Sequence, residues 1–259
     1  SPSSVPSLRL GTRYRVNNSS RAEPAFGTLL GSSSYRVIDA GSARPHGDHG
    51  FPCPKPQAEG AIAMPQQPAN LVFLFADQLR YHSCGFAGDP FASTPNMDRL
   101  AGESANCVNA ISNTPVCAAY RASLFTGKHQ SSHGMVINEL RLSPDHECFG
   151  HVLARAGYDT SYIGKWHLWA NQLGHHRTIG NAFTPPGPYR LGFDGYWAGY
   201  NFGHNSYDGV YFEDTLDPHR YDGYEADIQT DKAIERIVCH SKSDSPFALF
   251  LSWGPPHDP

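Results

Sequence analysis

Long apolar runs are missing from this sequence. The longest runs only from Leu71 to Ala76, far short of the ~20 residues that span a bilayer. No apolar stretch resembling a signal-peptide core lies in the first forty residues, so the compartment is not assigned from sequence. The six cysteines are scattered, with no C-x-x-C pair, which excludes a zinc ribbon and a thioredoxin-type redox site. Charge of one sign is also lacking. Net charge is −4 with both signs interspersed, so no polyanion or nucleic-acid surface is indicated. Thr126-Gly127-Lys128 lacks the first glycine of a phosphate-binding loop, because Ala122 stands there. His146 and His151 are five apart, not the four of a zincin helix.

Residues 1–63 are rich in Ser, Gly, Pro and Arg and poor in consecutive apolar positions. They read as disordered, as a transit peptide, or as a mis-called extension with Met64 the true start. Residues 64–259 read as one folded unit. Leu71–Ala76 is a continuous apolar run, the mark of a strand buried on both faces. Thr94-Pro95 predicts an N-cap and first helical position, with a helix to about Glu103. Further helices are expected at Cys117–Phe125, stopped by Gly127, and at Phe149–Ala156. A strand is expected at Tyr158–Ile163. Ile228, Ala233, Ile234, Ile237 and Val238 suggest an amphipathic helix over Glu225–His240, and Phe247–Trp253 is a further strand. Alternating helices and buried strands define an α/β fold with a mostly parallel sheet flanked by helices.

Sites in such sheets form beyond the carboxyl ends of the strands. Here the strands end on Asp77-Gln78, on Lys165-Trp166-His167 and on Pro255-Pro256-His257-Asp258. A carboxylate, an ammonium and two imidazoles on one edge suit a metal ion and an anionic substrate. Singly, each also suits a cap or a solvated loop. Tyr196, Tyr200, Tyr207 and Tyr211 surround Asn201-Phe-Gly-His204-Asn205, either as a sugar-stacking insertion near the pocket mouth or as core-packed rings.

Thr114-Pro-Val-Cys117-Ala-Ala-Tyr-Arg121-Ala-Ser-Leu-Phe-Thr126-Gly127 resembles the first signature of the type I, formylglycine-dependent sulfatases of the alkaline phosphatase superfamily. Gly164-Lys-Trp-His-Leu168 resembles the second. Thr94-Pro-Asn-Met-Asp-Arg-Leu100, Gly157-Tyr-Asp-Thr-Ser-Tyr-Ile163 and Gly254-Pro-Pro-His257 resemble further family segments in the right order. The resemblance covers roughly Pro68 to Pro259. It implies an alkaline-phosphatase-like fold, truncated here before its last strands.

The implied activity is hydrolysis of a sulfate ester, on a small molecule or a glycan and expected on a carbohydrate. Cys117 would be oxidised by a formylglycine-generating maturase. One hydroxyl of its hydrate would attack sulfur, and loss of the other hydroxyl's proton would expel sulfate. The resemblance makes Asp77, Gln78 and the oxidised Cys117 ligands of a divalent cation, in this family usually Ca2+. Arg121 would hold the hydrate and the metal-side carboxylates, and Lys165 would contact sulfate. His167 would be the base, and His257 would contact sulfate or assist the leaving oxygen.

Three departures qualify this. Ala119 replaces the signature proline and Tyr120 a small residue, which favours a radical-type maturase. Gln78 replaces a common second aspartate. The later Asp-Asn or Asp-His metal ligands do not occur before Pro259. Two alternatives follow: a phosphodiesterase or phosphonate monoester hydrolase of the same superfamily, or an inactive fragment that binds sulfated ligands without turnover. Family members are often periplasmic, secreted or lysosomal.

Overall fold

The computed structural model describes residues 68–170, 178–203 and 205–257. The N-terminal extension, His204 and Asp258 lie outside the described residues. Four strands form one parallel sheet: β1 (Leu71–Ala76), β2 (Asp159–Lys165), β3 (Trp197–Tyr200) and β6 (Phe247–Trp253), in the order β1-β6-β2-β3. The short β4 (Val210–Tyr211) and β5 (His219–Arg220) make a separate antiparallel pair. The helices are α1 (Pro95–Gly102), α2 (Cys117–Thr126), α3 (Gln130–His133), α4 (Phe149–Arg155), α5 (Ile179–Ala182) and α6 (Glu225–His240). Among the described residues no helix is long and apolar enough to cross a membrane.

The sheet is apolar on both faces because successive side chains alternate between them. Tyr162 and Phe250 face α2 and α4, where Phe125, Phe193, Trp166 and Trp197 complete an aromatic core. Ile163, Leu249 and Leu251 face the other way, toward Ala233 of α6. Tyr162 lies between Phe250 and Trp197, with ring centroids 5.3 and 5.1 Å away.

The elements expected from sequence are present, but β1 is an edge strand, only half-buried and with Leu74 54% exposed, and not a strand buried on both faces; other differences have local causes. β2 runs on to Lys165, because Gly164 tolerates φ +100. A Cβ there would collide with the Ser252 carbonyl of β6. The first helix has Pro95 at its start, but Thr94 does not cap it. Its hydroxyl accepts from the Gly85 N–H and donates to Asp98, so the pair serves the preceding loop. On α6 the face toward the sheet is Glu225, Gln229 and Ala233, spaced four apart, with Ile228 and Ile237 packed beside it. Ile234 and Val238 are turned outward, 53% and 52% exposed.

Parallel register does the positioning. Ala76 pairs with Trp253, Gly164 with Ser252, and Lys165 with Tyr200. The residues following these pairs therefore emerge together at one edge of the sheet.

Gly164→Ala should destabilise the fold by about 2 kcal/mol or more, combining strained φ with the clash against Ser252. Urea unfolding followed by tryptophan fluorescence reads this directly.

Candidate active site

At that edge Asp77 leaves β1 with its N–H donating to the Trp253 carbonyl at 3.1 Å. The carboxylate is 5% exposed, so it needs compensation. Its Oδ2 receives two cations: Lys165 Nζ in a close ion pair, and Arg121 at 3.5 Å. Both bases are fully buried. Arg121 comes one turn after Cys117 on α2. One of its terminal nitrogens donates to the Lys165 carbonyl, to Ser252 Oγ at 2.9 Å and to Tyr162 Oη at 3.4 Å. One guanidinium thus ties α2 to β1, β2 and β6.

The other carboxylate oxygen faces Cys117. The thiol donates to Asp77 Oδ1 at 3.8 Å. Cys117 opens α2, and the Ala118 N–H beside it is satisfied by Asn138 Oδ1 at 3.1 Å. Gly127, at φ +66, closes the same helix. Half-buried His257 completes the group: one donor atom each from Asp77, Cys117 and His257 lies within 4.8 Å of the others. Ligands about 2.4 Å from a shared hard cation are separated by up to about 4.8 Å, so Asp77 and the side chain at 117 fit one side of a cation site, with His257 within reach of both. A side chain at 117 that offered oxygen in place of sulfur would suit a hard cation better.

The electrostatics follow from this crowding. Burial pushes Asp77 up, but Arg121 and Lys165 outweigh it and hold the carboxyl at about 2. Burial and Arg121 push Lys165 below the ordinary ammonium range, against the pull of Asp77. Burial raises the Cys117 thiol, with Lys165 opposing and Asp77 adding to it. Unmodified Cys117 is therefore a protonated thiol at neutral pH, a poor nucleophile and a poor ligand.

Gln78 takes φ +61 and its side chain is exposed beside the cluster. His167, at φ +57 and buried, follows β2 and packs edge-on against Phe202 at 4.8 Å. It lines a cavity of about 650 Å3 together with Asn138, whose amide oxygen accepts from the Ala118 N–H next to Cys117. The tyrosines divide between the two expectations. Tyr211 and Tyr196 pack with the α6 core, Tyr200 lines the cavity, and Tyr207 is 67% exposed.

Sequence reasoning missed β3, which is only four residues long, although it placed Tyr200, the last residue of that strand, near the pocket mouth. It also missed Glu225, the first residue of α6, which is buried at the cavity wall and accepts from Tyr200 Oη at 3.3 Å. An acid in a first helical turn reads as a dipole partner; only the fold shows that this one points inward. Ser123 and His133 form a second nucleophile-like pair at 2.9 Å. The Met135 N–H donates to His133 Nδ1, so Nε2 carries the proton and donates to the serine. This histidine cannot act as its base.

The chain belongs to the sulfatase family, whose model matches residues 69–259. It is 38% identical over 191 residues to an ulvan-active sulfatase of Formosa agariphila, covering 73% of this chain and 36% of that protein. It is 30% identical over 207 residues to an N-acetylglucosamine-6-O-sulfatase of Bacteroides thetaiotaomicron, covering 79% of this chain and 33% of the relative. Among solved structures, the candidate sulfatase yidJ of Bacteroides fragilis superposes with TM-score 0.65 at 32% identity, covering 76% of this chain and 46% of that one. A structure holding its substrate D-glucosamine-2-N,6-O-disulfate superposes with TM-score 0.56 at 30% identity, covering 73% and 35%. The chain thus spans between a third and a half of the length of these relatives.

Two outcomes check the site. Arg121→Met should lower unfolding free energy by about 3–5 kcal/mol, because it removes one partner of a buried charge. Combined with Asp77→Asn, the loss should be smaller than the sum of the two single losses; strict additivity in denaturant melts would contradict the pairing.

The second concerns Glu225, which burial pushes up from 4.5 to about 7 against the weaker pull of its Tyr200 hydrogen bond. A raised carboxyl stabilises the fold fully below its ordinary range and loses that contribution as pH climbs through about 7. Relative to Glu225→Gln, the native protein should lose about 3 kcal/mol between pH 4.5 and 8. Paired thermal melts across that range measure it.

Proposed function

We propose that this chain forms the catalytic edge of a sulfatase hydrolysing a carbohydrate sulfate ester through a formylglycine made from Cys117. The observation that carries the reading is the convergence of Cys117, Asp77, Lys165, Arg121 and His257 at one sheet edge. Two fixed cations beside one carboxylate leave local positive charge, which suits a sulfate group. Relatives whose names include ulvan and N-acetylglucosamine 6-O-sulfate support a glycan substrate.

A divalent cation, proposed as Ca2+, would be held by Asp77, Gln78 and the oxidised side chain at 117, and would supply Lewis-acid polarisation and hydroxyl activation. Residue 117, hydrated, supplies one hydroxyl that forms a bond to sulfur while the bond from sulfur to the ester oxygen breaks. Lys165 neutralises charge on the sulfate oxygens. His257 gives a proton to the departing alcohol oxygen. His167 then removes the proton of the second hydroxyl. The C–O bond to sulfate breaks with the electron pair leaving on sulfate, and the aldehyde returns. A simple serine or cysteine would have no such exit.

The high pKa direction of the unmodified Cys117 thiol accords with a need for conversion before activity. A maturase that accepts Ala119 in the signature would perform it.

The protein should hydrolyse 4-nitrophenyl sulfate in preference to bis(4-nitrophenyl) phosphate, and Cys117→Ala should lower kcat by about a thousandfold or more. Preference for the diester would move the assignment to a phosphodiesterase. Undiminished turnover by Cys117→Ala would end the nucleophile assignment.

A further inference from the structure

The cavity beside His167 has a wall that the sulfate chemistry does not use. We propose that Glu225 is a specificity-determining residue, whose carboxyl, braced by Tyr200, takes hydroxyls of the sugar ring carrying the scissile sulfate. This rests on the sulfatase reading above and specifies the substrate of the same site.

Glu225 is costly to bury: it is 4% exposed, and among the described residues no cation forms an ion pair with it, Lys165 acting on it only at longer range. The one hydrogen bond to its side chain is donated by Tyr200 Oη to Oε1. A buried carboxyl so thinly satisfied is unfavourable for folding. The helix dipole does not require it, because exposed Asp227 already supplies an acid in the first turn of α6.

Neighbouring residues accommodate the carboxyl. A Cβ at position 254 would collide with Glu225 Oε1 and the Tyr200 hydroxyl. The Glu225 carboxyl and the Tyr200 hydroxyl thus pack directly against Gly254, where β6 passes into the Pro255-Pro256-His257 turn. Burial holds this carboxyl high enough to both donate and accept near neutral pH.

The described lining residues include Asn138 and Asn205 amides and the Phe202 ring, as well as His167. Amides and a carboxyl against an aromatic ring suit a hydroxyl-rich ring, with apolar contact on one face and hydrogen bonds at the edge. Leaving Glu225 aside, the described lining holds the carboxylates of Glu139 and Asp208 against Arg220 as the one strong base. Such a lining disfavours a second sulfate or a uronate on the same ring. The ligand class is thus a monosulfated, otherwise uncharged sugar.

Calorimetric binding of galactose 6-sulfate, galactose 2,6-disulfate and 4-nitrophenyl sulfate to the protein and to Glu225→Gln tests this. Glu225→Gln should weaken galactose 6-sulfate about ten- to a hundredfold more than 4-nitrophenyl sulfate, which has no ring hydroxyls. The native protein should bind the monosulfate more tightly than the disulfate. Where Glu225→Gln fails to fold, Glu225→Asp, which withdraws the carboxyl by one methylene, should show the same selective loss. Equal loss on both monosulfated probes, or a preference for the disulfate, would overturn the proposal. Failure of the native protein to hydrolyse either monosulfated probe, with the binding selectivity intact, would instead count against the sulfatase reading alone.

Discussion

A buried carboxylate shared between two buried bases is the constraint on which this structure depends. Asp77 is the only acid in contact with Lys165 and Arg121 among the described residues, and each of the three would be costly to bury alone. Arg121 resolves the problem by bonding at once to β1, β2 and β6. The ion cluster is therefore both a clasp across the sheet and the electrostatic floor of the site. Because Oδ2 is held by the bases, Oδ1 is left to face residue 117.

The rest of the site follows from parallel register. Three strands pair so that their carboxyl ends finish level, and each hands a reactive residue to the same edge. The third of these, His257, enters through a turn that starts at Gly254, against which Glu225 and Tyr200 pack. The cavity wall at Tyr200 and Glu225 thereby packs against the turn that carries His257.

Much of this was legible in the sequence because the informative signals are local. The apolar run at Leu71–Ala76, the glycine at 127 and the order of Asp77, Cys117, Arg121, Lys165, His167 and His257 can be read without tertiary contacts. β3 could not be read this way: four residues, Trp197–Tyr200, are too few to show a period. Ile234 and Val238 misled for a related reason. Their spacing fits a helical stripe, but Gln229 occupies the sheet-facing row through its hydrogen bond to Tyr221 Oη at 2.9 Å. Glu225 was invisible because an acid at a helix start has an ordinary local explanation. Its inward turn brings it against Tyr200 and Gly254, both distant in sequence.

The central claim is that residue 117 acts as an oxidised side chain seated between Asp77 and the helix N-terminus. Mass spectrometry of the peptide spanning Thr114 to Arg121, taken from catalytically active protein, tests it most directly. The account predicts an aldehyde or its hydrate at position 117. Full activity from protein whose Cys117 is entirely an unmodified thiol would contradict it.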